Sequence, residues 1–145
     1  RQQRAHAALF CGGEGAPETF TLSLHDALPI FWRNTGRVIV HWHTGSMTMR
    51  VPVLHNAMPS AYVEINPEDA ADMGIVNGEM IKIISRRGEV TMPASINGRG
   101  VPTRGQVFVP FFDEKYLINE VTLDAFCPIS KQPDYKKCAV KLEKA

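Results

Sequence analysis

The sequence lacks the features that identify several common classes of protein. No apolar run approaches the roughly 18 residues that a membrane-spanning helix needs. The formal net charge of +1 argues against nucleic-acid binding through bulk charge. No Gly-Lys-Ser/Thr motif marks a phosphate-binding loop. These absences leave a globular domain in which local side chains and backbone groups must bind any anionic ligand.

Cysteine is also scarce. Cys11, Cys127 and Cys138 form no Cys-x-x-Cys pair, and an odd count fits neither a disulfide framework nor a zinc site. We expect these residues to be buried free thiols. The spacing that would bind an iron-sulfur cluster is absent from this sequence.

The first 30 residues differ in character from the rest. Residues 21–30 read TLSLHDALPI, the translation of a DNA string that resembles the end of a widely used sequencing-library adapter. We therefore predict that residues 1–30 are a non-native segment and that residues 31–145 form the domain. The alternative is that the decapeptide is a genuine amphipathic segment.

From Gly36 onward, short apolar runs are separated by Gly and Pro, with little sustained helical periodicity. This pattern predicts a mainly β domain with short helices, and a closed barrel would best hide so many strand edges. Two helices are expected, one beginning at Pro52 and one at Asn66-Pro67, where Asn66 is the N-cap and Gly74 ends the helix. The predicted strands are Val38 to Trp42, Ala61 to Ile65, a hairpin around Arg86-Arg87-Gly88, Val107 to Phe112 with a proline that implies an edge or a bend, and Cys138 to Lys144.

The stretch HWHTGSMTMR, residues 41–50, raises a functional question. On a strand, His41 and His43 would point the same way and Trp42 the other. A metal site would need further ligands, of which His55 is the only nearby candidate, and no nucleophile motif supports a catalytic pair. Two satisfied core histidines are the structural alternative. The Thr-Gly-Ser turn that follows favours binding, because its backbone N–H groups and hydroxyls can hold phosphate oxygens.

Six motifs, in order, carry a family resemblance: TGRVIVHWHTGSMTMRVPVLHNAMP, NPEDA, SRRGEV, VFVPFFDE, LINEVTLDA and DYKKCAVKLEKA. Together they resemble the C-terminal molybdopterin-dinucleotide domains of periplasmic nitrate reductase catalytic subunits, over essentially all of residues 31–145. The general pattern is shared with other molybdopterin oxidoreductases. The resemblance implies a double-psi β-barrel.

The resemblance also implies a cofactor, molybdenum bis(molybdopterin guanine dinucleotide), and the residues that would bind it. Phe111 matches a position at the substrate approach. For Val38, Ile39 and Trp42, core packing is the favoured role of the side chain. The implied cofactor-binding residues are Thr35, Gly36, Arg37, Val38, Ile39, Val40, His41, Trp42, His43, Thr44, Asn119 and Lys136.

Two residues depart from the family pattern. Val40 stands where a Glu is usual, and its apolar side chain cannot make the polar contact of that acid. Cys127 stands where an acid or a threonine is more usual, and nothing in the sequence accounts for it.

By resemblance, the parent enzyme reduces nitrate to nitrite in the periplasm. Its 4Fe-4S cluster and its molybdenum ligand would belong to earlier parts of the subunit, so we expect the isolated chain to be inactive. The implied partners are the rest of the catalytic subunit and a cytochrome c electron-transfer subunit. Two alternatives stay open: the same domain of a formate dehydrogenase or another molybdopterin enzyme, and a free-standing β-barrel binding module without a redox role.

One spatial hypothesis links these residues. The polar turn after the first strand should face Lys136 and bind the pyrophosphate-linked part of the pterin cofactor. A structure that placed the two regions on opposite sides of the molecule would rule this out.

Overall fold

Six β-strands close into a barrel in the computed structural model, which describes residues 30–98, 100–122 and 124–145. Residues 1–29, which hold all but the last residue of the adapter-like stretch, lie outside the described part. The strands are β1 (Ile30–Gly36), β2 (Val63–Ile65), β3 (Met80–Ile84), β4 (Glu89–Ser95), β5 (Gln106–Pro110) and β6 (Lys137–Lys144). Two helices, α1 (Pro52–Ala57) and α2 (Pro67–Asp72), and two 3-10 turns, Thr48–Arg50 and Ile118–Val121, connect them.

The order of strands around the barrel is β1-β5-β2-β4-β3-β6. The pairs β1/β5 and β2/β4 are parallel and the other neighbours are antiparallel. Exchanging β1, β2 and β3 for β4, β5 and β6 leaves this pairing pattern unchanged, so two interleaved halves build one barrel. The fold is a mainly β, six-stranded, double-psi β-barrel, as the resemblance implied.

Strand direction defines two ends of the barrel. β1, β3 and β5 finish at the end where β2, β4 and β6 begin, and we call it the upper end. The loop after β1, the hairpin turn between β3 and β4, Phe111 and Lys136 all adjoin it. Helix α2 and the segment leading into β5 lie at the opposite, lower end.

The barrel interior is filled by alternate residues of the strands, as period-two patterns require. On β6, Cys138, Val140 and Leu142 are buried and the residues between them are partly exposed, which confirms the predicted alternation. The hairpin is confirmed as β3 and β4. Pro110 is the last residue of β5 and a bend follows, so the proline ends the strand rather than marking an edge.

Both helices form where their end signals predict. The Asn66 side chain accepts a hydrogen bond from the Glu68 backbone N–H at 2.9 Å, and Pro67 occupies the first turn of α2. Gly74 follows the helix with a φ of +65°, a conformation in which glycine meets no steric penalty.

The prediction of a first strand at Val38 to Trp42 is wrong, because β1 ends at Gly36 and the apolar run that follows lies in a loop. Ile39 is 87% exposed and Trp42 is 64% exposed, so the expected core packing of these two side chains is also wrong, and Val38 is half-buried. The alternation of apolar and polar residues does not predict β1, because its buried residues include Arg33 as well as Phe31. A charged residue at a buried position interrupts the apolar pattern.

Candidate cofactor-binding site

The loop after β1 is held in shape by a tight turn at the upper end. The Gly45 N–H donates to the Trp42 carbonyl oxygen at 2.9 Å, and His43 within this turn has a φ of +51°. Gly45 has a φ of +74°, and a Cβ there would lie 3.0 Å from the Phe112 carbonyl oxygen. The predicted turn therefore exists, and it packs directly on the segment that follows β5.

His41 stabilises this loop from inside. Its ring is 2% exposed, and Nε2 lies 2.8 Å from the Met58 carbonyl oxygen, so Nε2 is the donor of that bond. The ring's Nδ1 lies 3.1 Å from the Thr48 hydroxyl, which also accepts the Trp42 N–H at 3.1 Å. These contacts tie the loop to α1. Nothing in the sequence pattern indicates these roles of Thr48 and Met58.

The sequence pattern predicted that the two histidines share one face of a strand, and this is wrong. They lie in a loop, where the turn directs them differently. His43 is exposed, and its ring centroid lies 5.3 Å from that of Phe111 in an edge-on contact. The Lys136 Nζ lies 5.3 Å from the Phe111 ring centroid. The Thr35 N–H also donates to the Lys136 carbonyl oxygen at 3.1 Å. The polar turn and the lysine are therefore neighbours on one end of the barrel, with Phe111 between them.

Thr35 carries an unusual polar atom. Its hydroxyl is buried, and it has no hydrogen-bond partner among residues 30–98, 100–122 and 124–145. A buried hydroxyl without a partner is costly, and such groups commonly indicate a missing ligand or water. The neighbouring Gly36 packs closely on Phe108, since a Cβ at position 36 would lie 2.9 Å from the Phe108 ring.

Asn119 lines a cavity of about 600 Å³ together with Arg87, Thr122, Lys131 and Tyr135. Lys136 follows Tyr135 directly in the chain. The cavity therefore brings amide and cationic groups from three separate segments to the neighbourhood of Lys136.

Arg33 lies behind this cavity and is completely buried. Its guanidinium donates to the Thr122 hydroxyl at 2.8 Å, to the Cys138 sulfur at 3.1 Å and to the Tyr135 carbonyl oxygen at 3.2 Å. Burial raises the pKa of the Cys138 thiol, and the nearby guanidinium opposes that effect. Arg33 thus holds the segments that contain Thr122 and Tyr135 in position. The sequence did not indicate this role.

Arg37, Val38 and Ile39 line a second, larger cavity of about 830 Å³ on the outer flank of the barrel. Its other walls include Glu64 of β2, Phe108 of β5 and residues among 97–98 and 100–103. We call it the flank cavity. The residues predicted to bind the cofactor therefore fall on two adjoining surfaces, the upper end and this flank.

Among residues 30–98, 100–122 and 124–145, no three His, Cys, Asp or Glu side chains are grouped as a metal ion would require. None of the helices described there has the length and apolarity to cross a bilayer.

The barrel carries cationic side chains, a buried hydroxyl without a described partner and two open cavities, a combination suited to a large anionic ligand. The model of the family described as "Molydopterin dinucleotide binding domain" matches residues 31–139. The chain belongs to this family of molybdopterin dinucleotide binding domains.

Two solved structures resemble the chain. Acetylene hydratase from Pelobacter acetylenicus aligns with a TM-score of 0.68 and 16% sequence identity, over 81% of this chain and 18% of that protein. The computationally designed msDPBB_sym2 protein aligns with a TM-score of 0.42 and 12% identity, over 80% of this chain and 99% of the design. The chain thus spans less than a fifth of the length of acetylene hydratase, and the likeness to it concerns the fold.

Proposed function

We propose that this chain is the C-terminal cofactor-binding domain of the catalytic subunit of a periplasmic nitrate reductase. The family match gives the cofactor class. The residues of the HWHTGSMT and KKCAVKLEK motifs support the assignment to a nitrate reductase. We further propose that the cofactor is molybdenum bis(molybdopterin guanine dinucleotide). When bound, this group supplies the oxygen-atom transfer by which nitrate becomes nitrite.

The observation that carries the proposal is the meeting of His43, Phe111 and Lys136 at the upper end. Lys136 supplies a positive point charge, which suits a phosphate oxygen. Phe111 lies between this charge and the turn, with its ring edge toward His43. Lys136 and the turn would therefore bind successive parts of an extended anionic ligand that passes Phe111.

The residues present fit a pyrophosphate-linked ligand. The Thr35 hydroxyl is buried and has no bond within the described residues, so a ligand oxygen would satisfy it. Arg37 lines the flank cavity and adds positive charge beside the loop after β1, whereas Arg87 lines the smaller cavity and pairs there with Asp124 at 3.8 Å. The role proposed for Asn119 is to offer its amide to the ligand from the wall of the smaller cavity.

The predicted contribution of the His41 ring becomes indirect in this proposal. Both ring nitrogens already have partners in Thr48 and Met58. His41 would serve the cofactor by holding the loop in place, and its neighbours would make the contacts.

The test is to sequence the genomic DNA upstream of residue 31 and to express the full parent protein with its cofactor. We expect an open reading frame for a larger subunit, molybdenum in the purified protein, and nitrite production from nitrate with a reduced electron donor. The chain of residues 1–145 alone should yield no nitrite.

Other outcomes would point elsewhere. Formate oxidation without nitrate reduction would assign the chain to a formate dehydrogenase. A start codon next to residue 31, with no enzyme upstream, would favour a free-standing binding module. Either result would overturn the nitrate reductase assignment. Export to the periplasm and pairing with a cytochrome c subunit belong to the proposal and would be examined on the same parent protein.

A further inference from the structure

The segment that follows β5 contains a buried carboxylate that the proposed contacts leave unused. Asp113 is 7% exposed, and each of its two oxygens accepts a backbone hydrogen bond. Oδ1 accepts the Lys115 N–H at 2.9 Å, and Oδ2 accepts the Ala61 N–H at 2.9 Å. The first bond shapes a local turn, because an aspartate commonly binds the N–H two residues further on. The second bond joins this segment to the residues that lead into β2.

The stretch from Met58 to Ala61 is anchored at both of its ends. Ala61 is fully buried and donates to Asp113, and the Met58 carbonyl oxygen accepts the bond from His41 Nε2. The His41 ring in turn packs on the Phe112 ring, with the two centroids 4.5 Å apart. Phe112 precedes Asp113 in the chain, so the contacts form a closed circuit. We call this circuit the clamp, and its members are Asp113, Ala61, Met58, His41 and Phe112.

Phe111 lies directly outside the clamp. Its ring meets the His43 ring edge-on at 5.3 Å and the Lys136 Nζ at 5.3 Å from the ring centroid. Phe111 is only partly buried against the barrel core, so its own packing holds it in part. The backbone position that the clamp gives to the next two residues therefore helps to decide where this ring stands.

We propose that Asp113 is a positioning residue for Phe111, an inference that rests on the proposed function, in which the cofactor passes this ring. The carboxylate acts through the backbone, since it binds one N–H of its own segment and one N–H ahead of β2. An aspartate suits this task because two acceptor oxygens serve two donors. An asparagine has one acceptor oxygen and would set its NH₂ group against the other N–H. Without the clamp, Phe111 would no longer be held between His43 and Lys136.

The first experiment follows the chain of residues 1–145 by NMR. In the unaltered chain, the Ala61 and Lys115 amides should be protected from hydrogen exchange, and an NOE should connect the rings of His43 and Phe111. Asp113→Asn should lose the protection of at least one of these amides, because one acceptor is removed. It should also lose the NOE between the two rings, while the NOEs of the barrel interior remain.

The matched control is Asp69→Asn, the same change at a buried carboxylate of the lower end. Asp69 also accepts a backbone N–H, that of Gly105 at 2.7 Å. This variant should weaken the fold and keep the NOE between the two rings. If Asp113 only stabilised the fold, both variants would give the same result.

Two outcomes would overturn the inference. One is an Asp113→Asn chain that keeps the NOE between the rings of His43 and Phe111. The other is fast exchange of the Ala61 and Lys115 amides in the unaltered chain, a measurement that needs no variant to fold.

A second experiment measures how fast the cofactor leaves the loaded parent protein. Asp113→Asn should raise the release rate of the molybdopterin dinucleotide at least about threefold, because the surface that the cofactor passes is less ordered. Asp69→Asn should leave the release rate unchanged. Unchanged release from Asp113→Asn in a parent that reduces nitrate would refute the role of Asp113 alone. If the parent reduces no nitrate while the NOE still depends on Asp113, the proposed function fails and the positioning of Phe111 stands.

Discussion

The lower end of the barrel holds a satisfied network of polar groups, whereas the upper end holds a buried hydroxyl without a described partner. At the lower end, Asp69 accepts hydrogen bonds from the Gly105 N–H at 2.7 Å and from Arg104 Nε at 3.2 Å, and Arg104 also pairs with Asp72 at 2.6 Å. At the upper end, the Thr35 hydroxyl is buried without a described partner and Trp42 stands 64% exposed. A satisfied network stabilises the fold, whereas a buried hydroxyl without a partner is a position at which a bound molecule would add a hydrogen bond.

The largest effect should come from breaking the lower end. Asp69→Ala removes the acceptor of two hydrogen bonds and leaves the Gly105 N–H unpaired, so we expect a loss of about 2–4 kcal/mol in the free energy of unfolding. Asp72→Ala, on the same helix and also paired with Arg104, is exposed and should cost less than about 1 kcal/mol. Urea unfolding measures the loss of stability in both variants. Equal losses would contradict the prediction that the buried Asp69 contributes more than the exposed Asp72.

Lys136 tests the upper end. Lys136→Ala should weaken binding of the molybdopterin dinucleotide about tenfold, because one phosphate contact is lost. It should change the free energy of unfolding by no more than about 0.5 kcal/mol, since the residue is exposed. Lys137→Ala, the exposed neighbour, is the control for charge. Lys136→Ala should therefore lower cofactor retention without lowering the free energy of unfolding measured in urea. A loss of stability without a loss of cofactor binding would contradict the assignment of Lys136 as a phosphate contact.

Thr35→Val sharpens the comparison at a single atom. The change keeps the shape of the side chain and removes a hydroxyl that has no described partner, so unfolding of the ligand-free chain should change by less than about 1 kcal/mol. Binding of the cofactor should fall several-fold. Thr122→Val is the contrast, because that hydroxyl accepts from Arg33 at 2.8 Å and its loss should cost about 1–3 kcal/mol. Equal stability losses would mean that Thr35 is satisfied within the fold.

The smallest effect concerns pH. The pKa of Glu64 is raised in the folded chain, mainly by burial, so the native state binds a proton more readily than the unfolded state does. Its ionisation therefore costs stability, and this cost grows as pH rises from the ordinary value of 4.5 through the folded pKa. Relative to the unaltered chain, Glu64→Gln should become more stable across that interval. A stability difference between the two chains that does not change with pH would contradict the raised pKa of Glu64.

Much of the local structure could be predicted from the sequence. The ends of α2 follow from Asn66, Pro67 and Gly74, and the hairpin from Arg86-Arg87-Gly88, because each depends on neighbouring residues alone. β1 could not be placed, because Arg33 alternates into the barrel where an apolar residue was expected. The burial of Glu64 was hidden for the same reason, since its cover is a loop that lies more than 30 residues away.

By itself, the sequence determined α2, the β3–β4 hairpin, the alternation of β6, the mainly β class and the family, since these depend on short-range periodicity and on motifs taken in order. Only the tertiary structure decided which polar groups meet. Thr35, Phe111 and Lys136 come together because β1 pairs in parallel with β5 and antiparallel with β6, and Glu64 is buried because a distant loop closes over β2. Such contacts join segments far apart in the chain, and their energy depends on closure of the barrel, which local sequence preferences do not encode.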